Sequence, residues 1–255
     1  MRIFTLLPLL VLLLTAGCAG LQEADETADW SAGEIYEKAK AALDNGNYEQ
    51  ALNLYSKLEA RYPYGRFAQQ AQLETIYAHY EANEPEAAIA AADRFIKLHP
   101  RHPNVDYAYY MRGLASFDVG GGFMERFFPS DPAERDPARA REAFRHFREL
   151  TTKFPESRYA EDAIKRMTYL RNNLARHEIQ VAQYYMRRDA YLAAVERARY
   201  VLESYESTPA VPDALGIMVT AYRAMKMPEL AGDTLRVLRQ NYPDHKVTKR
   251  LEKEN

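Results

Sequence analysis

Apolar side chains in this chain recur in paired runs at helical spacing. Tyr36, Ala39 and Leu43 form one stripe, and Ala51, Leu52, Tyr55 and Leu58 form a second one beyond the turn residues Asn45-Gly46. Leu73, Ile76, Tyr77 and Tyr80 repeat the arrangement against Ala88, Ile89, Ala92 and Phe95, across Asn83-Glu84-Pro85. Steps of three and four place such residues on one side of a helix, so each pair of runs predicts an antiparallel helix hairpin. Ser31-Ala-Gly-Glu34 has the form of a capping box, in which the serine oxygen accepts orphan amides and the glutamate reaches back. The folded part is predicted to begin there, with helix almost throughout.

The hairpins carry a fixed interval. Ala51 to Pro63, Ala88 to Pro100, Ala143 to Pro155 and Ala231 to Pro243 are each twelve residues apart. Tyr62, Phe154 and Tyr242 precede three of the prolines, and His99 precedes the fourth. A fifth copy, Ala194 to Glu206, keeps Tyr205 and lacks the proline, which comes later at Pro209. A small alanine lets the second helix approach the first, larger side chains fill the space between them, and proline ends the helix. No single hairpin can hide its apolar face, so neighbours must stack. The chain is therefore expected to be all-α, a right-handed α-solenoid of about five helix hairpins that resemble tetratricopeptide repeats. Intervals between the marker alanines are 37, 55, 51 and 37 residues, against the usual period of about 34.

The extra length falls in two places. Residues 118-138 insert into the third copy a segment containing Gly120-Gly-Gly122, Phe123, Phe127-Phe128-Pro129 and Asp136-Pro137. A glycine triplet loses much backbone freedom when ordered, so Phe123, Phe127 and Phe128 should anchor the segment, either by plugging the end of a helix pair or by binding a partner. The fourth copy has a long first helix, roughly Tyr159 to Arg187. The expected organisation is repeats 1-3 over residues 31-155, repeats 4-5 over 156-245, and a charged extension over 246-255.

Ahead of the repeats, Met1-Arg2 and an apolar run lead to Thr15-Ala-Gly-Cys18, and Cys18 is the only cysteine. A basic start, an apolar core and a small-residue exit form an export signal over residues 1-17. The run is too short for a transmembrane helix, which needs about 20 apolar residues. The segment resembles a bacterial lipoprotein signal, although Thr15 stands where leucine is usual, with Leu14 one place earlier. That resemblance implies cleavage after Gly17, a diacylglycerol on the Cys18 thiol and an N-acyl chain such as palmitate. Ala19 in place of aspartate points to the outer membrane and its periplasmic face. Residues 18-30 then read as a lipidated tether.

Composition narrows the function. The net charge is -2, and loss of Arg2 with the signal makes the mature chain slightly more acidic, which gives no support to nucleic acid binding. No disulfide can form within the chain. His79, His99, His102, His146, His177 and His245 are scattered, with no HExxH pair. There is no GxSxG elbow and no lysine-bearing phosphate loop, so no catalytic residue, bound metal or cofactor beyond the covalent lipid is expected.

Several stretches together point to a family. Arg126-Phe-Phe-Pro-Ser-Asp131, Arg135-Asp-Pro137, Ala143-Phe-Arg-His-Phe-Arg-Glu-Leu150 and Phe154-Pro-Glu-Ser-Arg-Tyr159 stand in the first half. Asp162-Ala-Ile-Lys-Arg-Met167, Leu170-Arg-Asn-Asn-Leu-Ala-Arg-His-Glu178, Val181-Ala-Gln-Tyr-Tyr185 and Ala193-Ala-Val-Glu-Arg197 follow. Over essentially the whole mature chain the sequence resembles the BamD/ComL family of outer-membrane assembly lipoproteins, in which the insertion and the long helix are shared.

The resemblance implies a non-catalytic subunit of the machinery that folds and inserts β-barrel proteins into the outer membrane of a Gram-negative bacterium. It implies that repeats 1-3 form a concave face for unfolded substrate segments. The last two repeats would dock the periplasmic domains of the central barrel protein and accessory lipoproteins. Arg197 resembles the family arginine near the docking surface, with Glu196 in place of the usual asparagine; a solvated surface arginine is the other reading. Nascent barrel strands carry alternating aromatic residues and few charges, and Tyr36, Tyr77, Tyr80, Tyr107, Tyr109 and Tyr110 are the candidates to meet them. A periplasm-facing repeat adaptor for cell-wall or division machinery would share the alanine and proline spacing, but not the inserted segment.

Overall fold

Residues 26–118 and 137–254 are described in a computed structural model of the chain. Among them are eleven α-helices. The hairpins are α1 (Ala32–Asp44) with α2 (Tyr48–Arg61), α3 (Arg66–Glu81) with α4 (Pro85–Leu98), and α5 (Val105–Asp118) with α6 (Pro137–Lys153). They continue as α7 (Ala160–Met186) with α8 (Tyr191–Ser204) and α9 (Val211–Ala224) with α10 (Pro228–Asn241), and α11 (Lys246–Lys253) closes the series. Consecutive helices pack against each other, and the first helices of successive hairpins also touch, in the runs α1–α3–α5 and α7–α9–α11. This is an α-solenoid of stacked hairpins.

The repeat spacing has a direct packing cause. The marker residues Ala51, Ala88, Ala143, Ala194 and Ala231 are all buried, as are the residues four further on, Tyr55, Ala92, Phe147, Ala198 and Leu235. Seven residues after each alanine comes Leu58, Phe95, Leu150, Val201 or Leu238, none more than 1% exposed. The carbonyl of each of these five accepts the amide of Tyr62, His99, Phe154, Tyr205 or Tyr242, the residue that caps its helix. Four of the five caps are followed by proline, which has no amide to continue the ladder. Full burial of one such side chain contributes about 1.5–3 kcal/mol.

Turns inside the hairpins close in a common way. Gly46, Asn83, Asp189 and Lys226 adopt positive φ at 76°, 59°, 57° and 59°. The following amides of Asn47, Glu84, Ala190 and Met227 reach back five residues to Ala42, His79, Tyr185 and Tyr222. A left-handed residue at this place satisfies helix-end carbonyls that would otherwise be orphaned. At the start of α1 the capping box is complete: the Ser31 amide donates to Glu34 at 2.8 Å and the Glu34 amide to Ser31 Oγ at 3.3 Å. Folded contacts begin before it. Thr27 is buried, its carbonyl accepts a hydrogen bond from Arg61, and Tyr62 donates to the Trp30 carbonyl at 2.9 Å. The end of the segment read as tether is thus strapped to the end of α2.

Four apolar clusters run along the rod. The long α7 contributes Ala163 and Leu170 to the cluster beneath α3–α6, and Leu174, Ala175 and Ile179 to the one shared with α8 and α9. At its start α7 meets α5 through long side chains. Tyr110 donates to Asp162 Oδ2 at 2.8 Å and stacks on Tyr159, while Phe117 lies 5.8 Å from Tyr169. Elsewhere helices come much closer: a Cβ on Gly216 of α9 would stand 2.2 Å from Val247 of α11.

Candidate interaction surfaces

The first-helix row of the N-terminal repeats carries most of the tyrosines singled out above. Gln70, Glu74, Tyr77 and Glu81 lie at steps of four and three on α3, away from its buried stripe of Ala71, Ile76 and Ala78. On the α1 side, Tyr36 is half-buried, with its ring 6.2 Å from Tyr55 and 5.6 Å from Phe67. On the α5 side, Tyr107 sits 5.8 Å from Tyr159. Burial, and then the Glu74 carboxylate, push the hydroxyls of Tyr36, Tyr55 and Tyr107 above the usual phenol range. Glu74 therefore lies electrically at the centre of this surface.

The six tyrosines are not equivalent. Tyr77 is exposed, and Tyr36, Tyr107 and Tyr110 are half-buried along the same row. Burial, followed by the hydrogen bond to Asp162, raises the Tyr110 hydroxyl to about 12. Tyr80 packs against the cluster around Phe95. Tyr109 is 5% exposed and turns to α6, where its hydroxyl accepts from Lys153 at 2.9 Å and its ring lies 5.3 Å from Phe154. Cys18, Phe123, Phe127 and Phe128 lie outside the described residues.

In the C-terminal half the structure brings Arg197 into an ion triad. Glu178 of α7 has a side chain only 3% exposed, with Oε2 3.2 Å from Arg197 on α8 and Oε1 3.6 Å from Arg141 on α6. A buried carboxylate needs such partners, and two half-exposed guanidinium groups leave the site with a surplus positive charge facing solvent. The histidine-glutamate pair in α7 was visible in the sequence, but nothing local marked Arg141 as its partner. Leu192 on α8 and Leu230 and Val237 on α10 add exposed apolar side chains to this half. A cleft of about 440 Å³ between α7, α9 and α11 is lined by Gln183, Asp213, Lys246 and Arg250 among others.

A buried cation, Arg112 of α5, is held by Asp93 of α4 at 2.6 Å and Glu149 of α6 at 2.5 Å. Next to it Ser116 donates to the Arg112 carbonyl at 2.9 Å and meets His146 Nδ1 at 2.8 Å. With the hydroxyl proton committed to the carbonyl, Nδ1 carries the hydrogen that His146 donates. The serine is buried and bonded to backbone, so this pair is a packing device. Among the described residues there is no group of His, Cys, Asp and Glu able to hold a metal ion, and no helix long and apolar enough to cross a membrane.

Comparison with known proteins places the chain. A family model described as "Outer membrane lipoprotein" (YfiO) matches residues 28–249. A protein of Neisseria meningitidis serogroup B, named outer membrane protein assembly factor BamD, is 46% identical over 87% of this chain and 83% of its own length. The proteins of the same name from Xylella fastidiosa (strain Temecula1) and Vibrio cholerae are 36% and 34% identical, over 91% and 94% of this chain and 80% and 99% of their own. Among solved structures, MamA aligns with 85% of this chain and 97% of its own at 13% identity and a TM-score of 0.39, a likeness too loose to bear on function. The family match and identities that run nearly end to end show that this chain belongs to the BamD/ComL family of outer-membrane lipoproteins.

Proposed function

We propose that the protein is a non-catalytic scaffold and substrate-receiving subunit of the machinery that assembles β-barrel proteins in the outer membrane, held at the periplasmic face by lipid on Cys18. The observation that carries this reading is the 46% identity, over 87% of the chain, to a protein named for outer membrane protein assembly. The geometry supports a division of labour. The first-helix row with Tyr36, Tyr77, Tyr107 and Tyr110 offers ring faces of low conformational entropy to unfolded client segments, on a solenoid surface suited to extended polypeptide. Arg197, together with exposed Leu192, Leu230 and Val237, supplies a separate surface for the periplasmic domains of the central barrel protein and for accessory lipoproteins. Phe123, Phe127 and Phe128 are assigned to a further partner contact from the sequence alone.

Co-purification from native membranes tests the docking assignment. Charge reversal at Arg197 would set two carboxylates against each other at Glu178, so Arg197→Gln is the cleaner change. Arg141 still neutralises the buried Glu178 carboxylate in this variant, and the glutamine amide can donate to it in place of the guanidinium, which limits the loss of stability. The expected result is an intact fold by circular dichroism with reduced recovery of the large barrel protein. Unchanged recovery would remove Arg197 from the docking surface.

A further inference from the structure

One large aromatic side chain stands almost free of the fold, close to where the lipid tether joins it. Tyr64, in the turn from α2 to α3, is 91% exposed, the highest value for a large apolar side chain among the described residues. Gly65 beside it takes φ 102°, and a Cβ built there would meet nothing within 4 Å, so this side of the turn is open. Arg61 and Tyr62, which immediately precede Pro63 and Tyr64, are the residues that hold Thr27 and the Trp30 carbonyl. Glu26 is the eighth residue after Cys18, and eight residues span at most about 28 Å. A lipid on Cys18 therefore keeps the end of α2, and the turn that follows it, close to the bilayer surface.

The side chains around this turn suit a lipid surface. Glu59 of α2 pairs with Arg94 of α4 at 3.2 Å, and His99 meets Gln72 of α3 at 2.9 Å, which brings the end of α4 alongside the turn. Leu98, 53% exposed, and the exposed cations Lys97 and Arg101 lie there, and exposed Arg66 opens α3. Arg66, Lys97 and Arg101 form no ion pair among the described residues. Of the carboxylates at this end, Glu59 is paired, Glu34 is held by the Ser31 amide, and Glu26 and Asp29 sit on the strap at the flank of α1. A tyrosine ring with its hydroxyl settles at a membrane-water interface, and arginine and lysine side chains bind phosphate. Resting on the lipid anchor at Cys18, we propose that the α2–α3 turn, with Tyr64 at its tip, seats in the phospholipid interface of the leaflet that holds the anchor, with Arg66, Lys97 and Arg101 facing lipid phosphates. One point of attachment leaves the rod free to turn about it. A second contact fixes which edge of the hairpins faces the bilayer, and with it the direction in which the first-helix row is presented.

The test uses the full lipidated protein in vesicles of phosphatidylethanolamine and phosphatidylglycerol that contain a lipid with a nitroxide quencher on its acyl chain. Cys18 is the only cysteine and carries the lipid, so Tyr64→Cys supplies one free thiol for a fluorescent label. Glu49→Cys, exposed at the other end of α2 and about 20 Å away, is the control. The label at position 64 should be strongly quenched and the label at position 49 little or not at all. In Arg66→Gln with Arg101→Gln, each charge removed should lower the ratio of seated to unseated turn about fivefold, read as lost quenching at position 64. Equal quenching at the two positions, in protein that floats with the vesicles, would overturn the second contact and leave the anchor standing. Quenching unchanged in the double variant would overturn the pairing of these cations with phosphate. Protein that fails to float with the vesicles would overturn the anchor and the contact together.

Discussion

At the scale of single residues, polar groups inside the rod are arranged so that only one protonation state fits well. His146 is buried against Ser116, and its pKa lies below the ordinary histidine value. Burial is the main cause, the positive charges of Arg112 and Arg145 add to it, and Glu142 and Asp93 oppose it. The folded state therefore keeps His146 neutral at a pH where the unfolded chain already binds a proton. Stability from this group is fully present above the unfolded pKa and is lost as pH falls through and below that value. Denaturant unfolding of the wild type and of His146→Asn between about pH 7.5 and pH 5 should give curves that converge toward acid, the wild type losing more. Parallel curves would show that His146 takes up no extra proton on unfolding. His102, whose pKa burial and His99 also lower, adds in the same direction to both proteins and cancels in the comparison.

At the scale of elements, helix contacts are set by small residues whose absence of a side chain has a purpose at some places and none at others. Gly216 and Gly232 stand at comparable helical positions in α9 and α10, yet a methyl on Gly216 would meet Val247 at 2.2 Å while one on Gly232 would meet nothing within 4 Å. Alanine in a helix interior is favoured over glycine by about 1 kcal/mol, so Gly232→Ala should raise stability by up to that amount. Gly216→Ala must push α11 away from α9, and overpacking of this kind costs about 1–3 kcal/mol. Opposite shifts in thermal midpoint are expected, with faster amide exchange in α11 for Gly216→Ala alone. Shifts of the same sign would mean that α11 is not seated on α9 as described.

The same scale shows what the sequence reveals and what it hides. Ala51, Leu58 and Pro63, and their counterparts in other copies, mark helix pairs because burial repeats with the helical period and proline ends each unit. The capping box at Ser31 and the limits of α7 were likewise local, written within a few residues. Arg141 with Glu178, Asp93 and Glu149 with Arg112, and Arg61 with Thr27 were not. These pairs join residues 19 to 37 positions apart, and a charged residue facing a distant partner looks in sequence like one facing water. Of the candidate site, the tyrosines were visible as residue types, but the division between buried Tyr109 and exposed Tyr77 depends on which neighbour each meets. Glu74 had no local mark at all.

At the scale of the molecule, one helix ties the two halves together. With 27 residues, α7 is about 40 Å long, and it enters the clusters of both the N-terminal and the C-terminal repeats. The tyrosine row lies on α1, α3 and α5, and the Arg141–Glu178–Arg197 triad joins α6, α7 and α8, so the proposed client and partner surfaces are carried by different helices of one continuous rod. A protein that receives unfolded chains while held by an assembly partner needs that separation, since one surface must release while the other stays bound.

In-cell photo-crosslinking within a single hairpin tests this most directly. A photoreactive amino acid in place of Tyr77, on the first helix of the second repeat, is predicted to capture unfolded outer-membrane protein precursors. In place of Leu98, which is exposed on the second helix of the same repeat, it should capture few or none. Equal capture from both positions, or capture of precursors at Leu98 alone, would contradict a client-receiving first-helix row.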